Sequence, residues 1–394
     1  MRDENVTQAI QSVLNSRQAY CKFLSANDTG LTGTHQAGIY ISKPSYSILF
    51  DELGEKGTFK EKWVKIRWQD NLETESCFKY YGNKTRNEYR ITNFGKGFPF
   101  LRHDYTGALF ILVQNDSEDY QGFVLNTDNE INQFLDAFGL SPNETNQIID
   151  IGRLGLLLGK REETAINAFI DGLKVDFPTY DVMSAAARHI EDTVHDRVEY
   201  IKSNPDKKLI SWTNMEYKLF RALEYDRYKN VLFGGFNSVD QFIKTANIVI
   251  NRRKSRAGKS LEHHLAAIFD GNGIKYTSQG TTEGNKKPDF IFPSQDAYHD
   301  ITFPSENLIT LAAKTTCKDR WRQIINEADR LRNQPKFLCT LQQGISPAQM
   351  DEMKAENVIL VVPKPYIISY PEDRRDRIWT ISQFVSYVRE IERL

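Results

Sequence analysis

Two textures of apolar patterning divide the chain. Up to about residue 172, short apolar runs alternate with polar residues and are broken by Gly and Asn. The stretches 38–41, 63–68 and 106–113 have the two-residue period of half-buried strands. They predict a small, mostly-β domain, followed by helices over 129–138 and 162–171. The segment 174–180 follows a Gly and holds a Pro, which predicts a linker. Beyond it the pattern becomes helical, over 181–203, 207–227 and 239–250. Leu261, Leu265, Ile268 and Phe269 continue at helical spacing and predict a separate helix over 260–270. Strand-like runs at 288–292 and 308–313 precede a helix over 319–331, with Trp321, Ile324, Ile325 and Ala328 on its inner face. Strands at 336–340 and 357–362 follow, then a last helix carrying Phe384, Val388 and Ile391. Strands alternating with helices predict an α/β domain around a central mixed sheet. The expected division is 1–173, a linker at 174–180, and 181–394.

Length agrees, because 394 residues exceed what one core usually organises. An apolar fraction of 40% and a charged fraction of 26% suit a soluble protein. No apolar run is long enough to cross a bilayer, so no membrane partner is expected. The opening MRDENVTQAI does not read as a signal peptide, which points to cytoplasm. Cys21, Cys77, Cys317 and Cys339 form no CxxC pair, so reduced thiols are expected rather than zinc or disulfides. The net charge of -1 argues against a uniformly basic surface. Local clusters set the field at a phosphate backbone, however. The run 251–259 carries Arg252, Arg253, Lys254, Arg256 and Lys259 with no acid. A second cluster, 314–322, holds Lys314, Lys318, Arg320 and Arg322 against Asp319.

Candidate chemistry gathers in the second half. Asp289 follows Pro288 and opens an apolar strand, where a carboxylate at a sheet edge can bind a hard divalent ion. Lys314 closes the run 308–313; on an adjacent strand it would stand beside Asp289 and could orient water or steady phosphate charge. Glu327 lies thirteen residues further on, sharing a helical face with Arg320 and Gln323. It is expected to add a second carboxylate. Glu262 begins the expected helix 260–270, where the helix dipole favours an acid, and is a further candidate metal ligand. Each feature alone is as readily a turn, a solvated lysine or a surface acid. Together they suit metal-assisted phosphodiester hydrolysis.

Longer strings are more specific. NRRKSRAGKSLE at 251, TEGNKKPDFIFPS at 282, AYHD at 297 and AAKTTCKDRWRQIINEAD at 312 resemble the catalytic domain of the EcoRII-type restriction endonucleases, a branch of the PD-(D/E)xK nucleases. LSANDTGLTGTHQAGIYI at 24, GNKTRNEYRIT at 82 and TGAL at 106 resemble that family's N-terminal domain. The likeness thins between about 115 and 235. The superfamily's acid two residues before the lysine is here Ala312; in this branch it is displaced onto the following helix, where Glu327 matches. The resemblance implies Asp289, Lys314 and Glu327 as catalytic residues, with Tyr298 helping to shape the site. It implies base reading by Lys318, Asp319 and Arg320, whose chemistry suits a C/G-rich target. Arg253, Lys254 and Arg256 of the basic run are expected to join them on DNA. For the first domain it implies a B3-like pseudobarrel that binds a second DNA copy as effector. Its two arms would be His35, Gln36 and Tyr40, and Lys84, Arg86, Glu88 and Arg90. Tyr89 replaces a lysine known in the family, a change expected to remove a phosphate or base contact.

The resemblance further implies Mg²⁺, a homodimer, a CCWGG-type target, a separate DNA cytosine methyltransferase, a bacterial cytoplasmic setting, and autoinhibition by the first domain. The alternatives are cleavage at CCNGG-type sites without an effector, a repair or recombination nuclease on the same fold, and a sequence-specific DNA-binding protein that no longer cuts.

Overall fold

The computed structural model describes residues 2–31, 38–83, 86–116, 118–149, 159–196 and 198–392. The first domain is built on one eight-stranded sheet. Helix α1 (Arg2–Leu14) leads into β1 (Gln18–Phe23), β2 (Ile39–Ile41), β3 (Phe59–Trp68), β4 (Glu73–Tyr81), β5 (Glu88–Thr92), β6 (Leu109–Gln114) and β7 (Asp119–Leu125). Helix α2 (Asp128–Phe138) and β8 (Gln147–Ile149) complete it. The strand order is β2-β5-β4-β3-β7-β6-β1-β8. Every pairing is antiparallel except β3 with β7. Alternation explains the two sides. Tyr20, Phe78, Tyr80, Tyr89, Phe110 and Tyr120 fill one core, and Cys21, Phe23, Ile111 and Val113 pack under α1 and α2 in another. Helix α2 starts where Thr127 and Glu130 form a reciprocal capping box and stops at Gly139, whose φ of 62° is left-handed.

The remaining chain forms a helical layer and a second sheet. Its elements are α3 (Lys160–Gly172), α4 (Tyr180–His195), α5 (Tyr200–Ser203), α6 (Pro205–Gly234), α7 (Val239–Gly271), β9 (Thr277–Ser278), β10 (Phe290–Phe292), α8 (Gln295–His299), β11 (Ile309–Lys314), β12 (Lys336–Thr340), α9 (Pro347–Ala355), β13 (Val358–Val361), β14 (Ile378–Trp379) and α10 (Ile381–Ile391). The six strands run β14-β13-β12-β11-β10-β9. Strands β9 to β11 pair antiparallel and β11 to β14 parallel, a mixed sheet as expected.

Three expectations need correction. The helices expected over 239–250 and 260–270 are one helix, α7, because the basic run between them has no Pro and is rich in Arg, Lys and Ala, all good helix formers. Glu262 is therefore an interior residue of α7, with no helix start beside it. Residues 319–331 form no α-helix but two 3-10 turns, Arg320–Asn326 and Asp329–Leu331. Ala328 breaks them with φ -147° and ψ 87°. The Trp321–Ile324 spacing fits a three-residue turn equally well, and bonds to Glu283 take the backbone N–H groups of Asp329 and Arg330. Finally, 174–180 joins two helices that share a core: Ile166 and Ile170 of α3 pack with Met183, Ala187 and Ile190 of α4 and Met215 and Leu219 of α6. By packing, α3 belongs with the helical layer.

Candidate active site and nucleic-acid interface

Strands β10 and β11 bring the first two candidates together. Antiparallel pairing of Phe290 with Leu311 sets Asp289 beside the end of β11. One Asp289 carboxylate oxygen accepts from Lys314 Nζ at 3.1 Å and from the backbone N–H of Ala313 at 2.7 Å. The other accepts from Gln279 Nε2 at 2.9 Å. The same Gln279 nitrogen donates to Glu262 at 3.0 Å, and Lys259 pairs with Glu262 at 2.9 Å. Glu262 thus reaches the site from α7 through Gln279. Ala312, the position that usually carries an acid, is buried among Leu338, Leu360 and Ile324.

Glu327 caps the first 3-10 turn and is half-buried. Burial pushes its carboxyl up to about 7; Asp289 adds to the rise, and Lys314 and Lys286 oppose it. A buried carboxyl raised in this way beside a second carboxylate suits a divalent cation, which would favour its charged form. Among the described residues no three His, Cys, Asp or Glu side chains form a metal cluster.

Tyr298 on α8 is buried, and its hydroxyl donates to Glu283 at 2.6 Å. Burial raises Glu283, but the bonds from Tyr298 and from the N–H groups of Asp329 and Arg330 outweigh it and hold the carboxyl below its usual range. Tyr298 thus braces the turn after Glu327.

The first domain holds the backbone of the expected DNA-reading segment, burying Lys318 and leaving Asp319 and Arg320 exposed. Asp128, at the first turn of α2, accepts the backbone N–H groups of Lys318 at 3.0 Å, Asp319 at 2.7 Å and Arg320 at 2.9 Å. Lys318 is only 2% exposed and donates to the carbonyls of Thr106 at 3.0 Å and Asp104 at 3.4 Å. Burial pushes its ammonium down to about 7. The facing Asp128 carboxylate pushes Asp319 up to about 6. The far end of α2 is held too: Arg253 donates to the carbonyls of Asp136 at 2.9 Å and Ala137 at 2.7 Å, and pairs with Glu224. Lys254 is exposed. Arg256 is not at a DNA surface. It is 2% exposed, stacked 3.7 Å from the Tyr217 ring centre and 4.0 Å from Glu216.

Of the effector candidates, Tyr40, Glu88 and Arg90 meet on edge strand β2 and its neighbour β5, with Tyr40 opposite a buried Arg90. Arg90 donates to Glu88 at 3.3 Å and to the Gly38 carbonyl at 3.4 Å. Arg86 is exposed over the Tyr81 ring. His35, Gln36 and Lys84 lie outside the described residues. Tyr89 alternates to the opposite face, fully buried against Tyr46, Phe50 and Tyr80, and its hydroxyl accepts the N–H of Gly54 at 2.6 Å. The phenol in this chain serves the core, so the expected loss of a DNA contact at Tyr89 is replaced by packing.

Three residues escaped the sequence reading: Gln279, Glu283 and Asp128. Asp128 stood in a visible helix start, Thr127 to Glu130, but nothing local shows that its carboxylate would bind another domain. Glu283 lay inside a string already singled out. Gln279 had no sequence signal.

Comparisons with known proteins identify the family. The family model "EcoRII C terminal" matches residues 220–385, and "Restriction endonuclease EcoRII, N-terminal" matches 14–139. The chain is 38% identical over 390 residues to the type II restriction enzyme EcoRII of Escherichia coli, covering 93% of each. The type II restriction enzyme SsoII of Shigella sonnei is 29% identical over 117 residues, 28% of this chain and 37% of that protein. A solved structure of metal-depleted Ecl18kI in complex with uncleaved, modified DNA aligns at a TM-score of 0.46 and 22% identity, over 59% of this chain and 84% of that one.

Proposed function

The chain belongs to the EcoRII family of type II restriction endonucleases, and we propose that it cuts both strands of DNA at CCWGG sites, using Mg²⁺ and a second site copy as effector. The observation that carries the cleavage site is the Asp289–Lys314 pair, 3.1 Å apart on adjacent strands, with half-buried Glu327 beside it. Asp289 and Glu327 would hold the ion, with Glu262 joined to them through Gln279. When bound, the ion supplies charge stabilisation and an acidified water. Lys314 directs a charged donor toward the phosphate and steadies the negative charge that develops on it. Tyr298 positions the Glu327 turn through Glu283.

Lys318, Asp319 and Arg320, with Arg253 and Lys254, read or grip the substrate once α2 leaves them. Closure by α2 is the autoinhibited state. Gly107 supports this reading: a Cβ there would sit 1.9 Å from the Gly344 carbonyl oxygen, so the two domains meet at backbone contact. Effector DNA binds the β2–β5 edge through Tyr40, Arg86, Glu88 and Arg90, with His35, Gln36 and Lys84 completing the arms. A B3-like pseudobarrel is supported by the approach of the two sheet edges, where Ser42 after β2 donates to the Asn146 carbonyl before β8 at 2.8 Å. A homodimer is supported by exposed Leu232, Phe233, Val239, Phe242 and Ile243 on the α6–α7 hairpin, apolar surface that a two-fold partner would cover. No helix among the described residues is long and apolar enough to cross a membrane. The setting proposed is bacterial cytoplasm, beside a cytosine methyltransferase that protects host sites.

The test is a Mg²⁺-dependent digest of unmethylated DNA by the full chain, with added effector duplex and sequencing of the ends. Discrete ends at one five-base C/G-rich motif are expected. Scattered ends would point to a repair-type nuclease, and intact DNA with specific binding would point to a non-cutting protein.

A further inference from the structure

We infer that Gln279 is a positioning residue that joins Asp289 of the sheet and Glu262 of α7 into a single metal-binding unit. The inference rests on the active-site reading above. The Gln279 carboxamide has two N–H donors on one nitrogen, and they go to two carboxylates from different layers, at 2.9 Å to Asp289 and 3.0 Å to Glu262. Its own backbone N–H donates to the Asp289 carbonyl at 3.0 Å. Side chain and main chain therefore fix the same acid.

The choice of residue is informative. A lysine or arginine in this place would add a third cation to a cluster in which Lys314 already pairs with Asp289 and Lys259 with Glu262. A neutral amide holds the two acids at hydrogen-bonded separation without adding further positive charge. The position also bears a conformational cost. Gln279 has φ 53°, in the left-handed region that glycine or asparagine adopts more readily. Local preference does not explain a glutamine there. A fixed reach to two carboxylates does.

The neighbouring residues extend the same frame. Thr282 donates its hydroxyl to the Glu327 carbonyl, and Glu283 braces the following turn. The segment 279–283 thus touches Asp289 and Glu262 through their carboxylates and Glu327 through its backbone carbonyl.

The test uses the full chain with Gln279→Gly and Gln279→Leu. Glycine suits the left-handed backbone, so loss of fold is not expected from that variant. Binding to a duplex carrying the cleaved sequence is measured without metal and across a Ca²⁺ titration, and cleavage across a Mg²⁺ titration. Expected are metal-free DNA affinity within about twofold of the parent, a rise of about tenfold or more in the Ca²⁺ and Mg²⁺ needed for half effect, and recovery of the cleavage rate at high Mg²⁺. Unchanged metal dependence in both variants overturns the inference. So does a fall in metal-free DNA binding that alone accounts for lost cleavage. Asp289→Asn separates the two levels. If it abolishes the metal response while the Gln279 variants keep it, only the role of Gln279 fails; if it too keeps the response, the active-site reading fails and takes this inference with it.

Discussion

Lys314 shows how far one residue can be understood from its surroundings. Its ammonium is anchored to Asp289 at 3.1 Å, yet it is not sealed in, so it can turn toward a phosphate. Lys314→Ala removes a charge-assisted donor from the place where charge develops, but it touches none of the residues proposed to read bases. The expected outcome is specific DNA binding within about threefold of the parent and cleavage slowed by about a hundredfold or more. Gel-shift titration and single-turnover cleavage check it; near-normal cleavage would move the active site elsewhere. At this scale the sequence was legible where chemistry is local. Asp289 and Lys314 each end an apolar run, and a run's end is visible in the pattern. Gln279 and Asp128 were not, because their partners lie ten or more residues away and only the folded chain brings them together. Tyr89 shows the complement: it stands between the charged Glu88 and Arg90, which read as a surface, yet Tyr89 lies in the core and Arg90 itself is buried.

Elements make clear why a charge run is ambiguous. The basic run lies inside α7, where successive residues point about 100° apart. Arg253 therefore meets α2, Lys254 meets solvent, and Arg256 enters the helical core beside Tyr217, Phe220 and Glu216. Read as a string, all three looked alike. Read on a helix, Arg256 is structural. Arg256→Ala removes a buried cation from beside Glu216, leaving that acid with the His264 contact and the charge of Arg188. A loss of about 3 kcal/mol in unfolding free energy is expected, with unchanged specific DNA affinity of the folded protein. Chemical denaturation and binding titration would show this. A stable variant with weakened DNA binding would return Arg256 to the interface. The 3-10 turns after Arg320 carry a related lesson. Apolar spacing fixed the buried side of Trp321 and Ile324, but the break into a second turn is held by Glu283, from another part of the chain, which takes the N–H groups of Asp329 and Arg330.

At the scale of the whole molecule, the fold class and mixed sheet were readable from alternating patterns, and the closed arrangement of the domains was not. Closure depends on matched surfaces, and if the domains part as proposed its chemistry would make it respond to pH. Closing would bury Lys318 and push its ammonium from an ordinary 10.5 down to about 7. The closed state therefore sheds a proton between those values, and closure strengthens as pH rises above 7. Asp319 acts in the opposite sense. Its carboxyl rises from 3.8 to about 6 against Asp128, so its contribution to closure is full below the ordinary value and is lost as pH rises through 6. Closure is then weakest between about 6 and 7. Interdomain distance, followed by energy transfer between labels on the two domains without DNA, should show the most open population there and a closure constant rising by up to about tenfold per pH unit from 7 toward 9. Cleavage is the wrong readout, since its own chemistry depends on pH. Lys318→Met should abolish the alkaline rise, because a methionine can occupy the buried site with no proton to lose. Gly107→Ala should stay open throughout, because its Cβ collides with the Gly344 carbonyl. A fragment intended to mimic the open enzyme must begin before Lys160, since a start near 181 strips α3 from the core it shares with α4 and α6. If closure is flat between pH 7 and 9, or if Lys318→Met keeps the same rise, Lys318 is not the group that ties domain closure to protons.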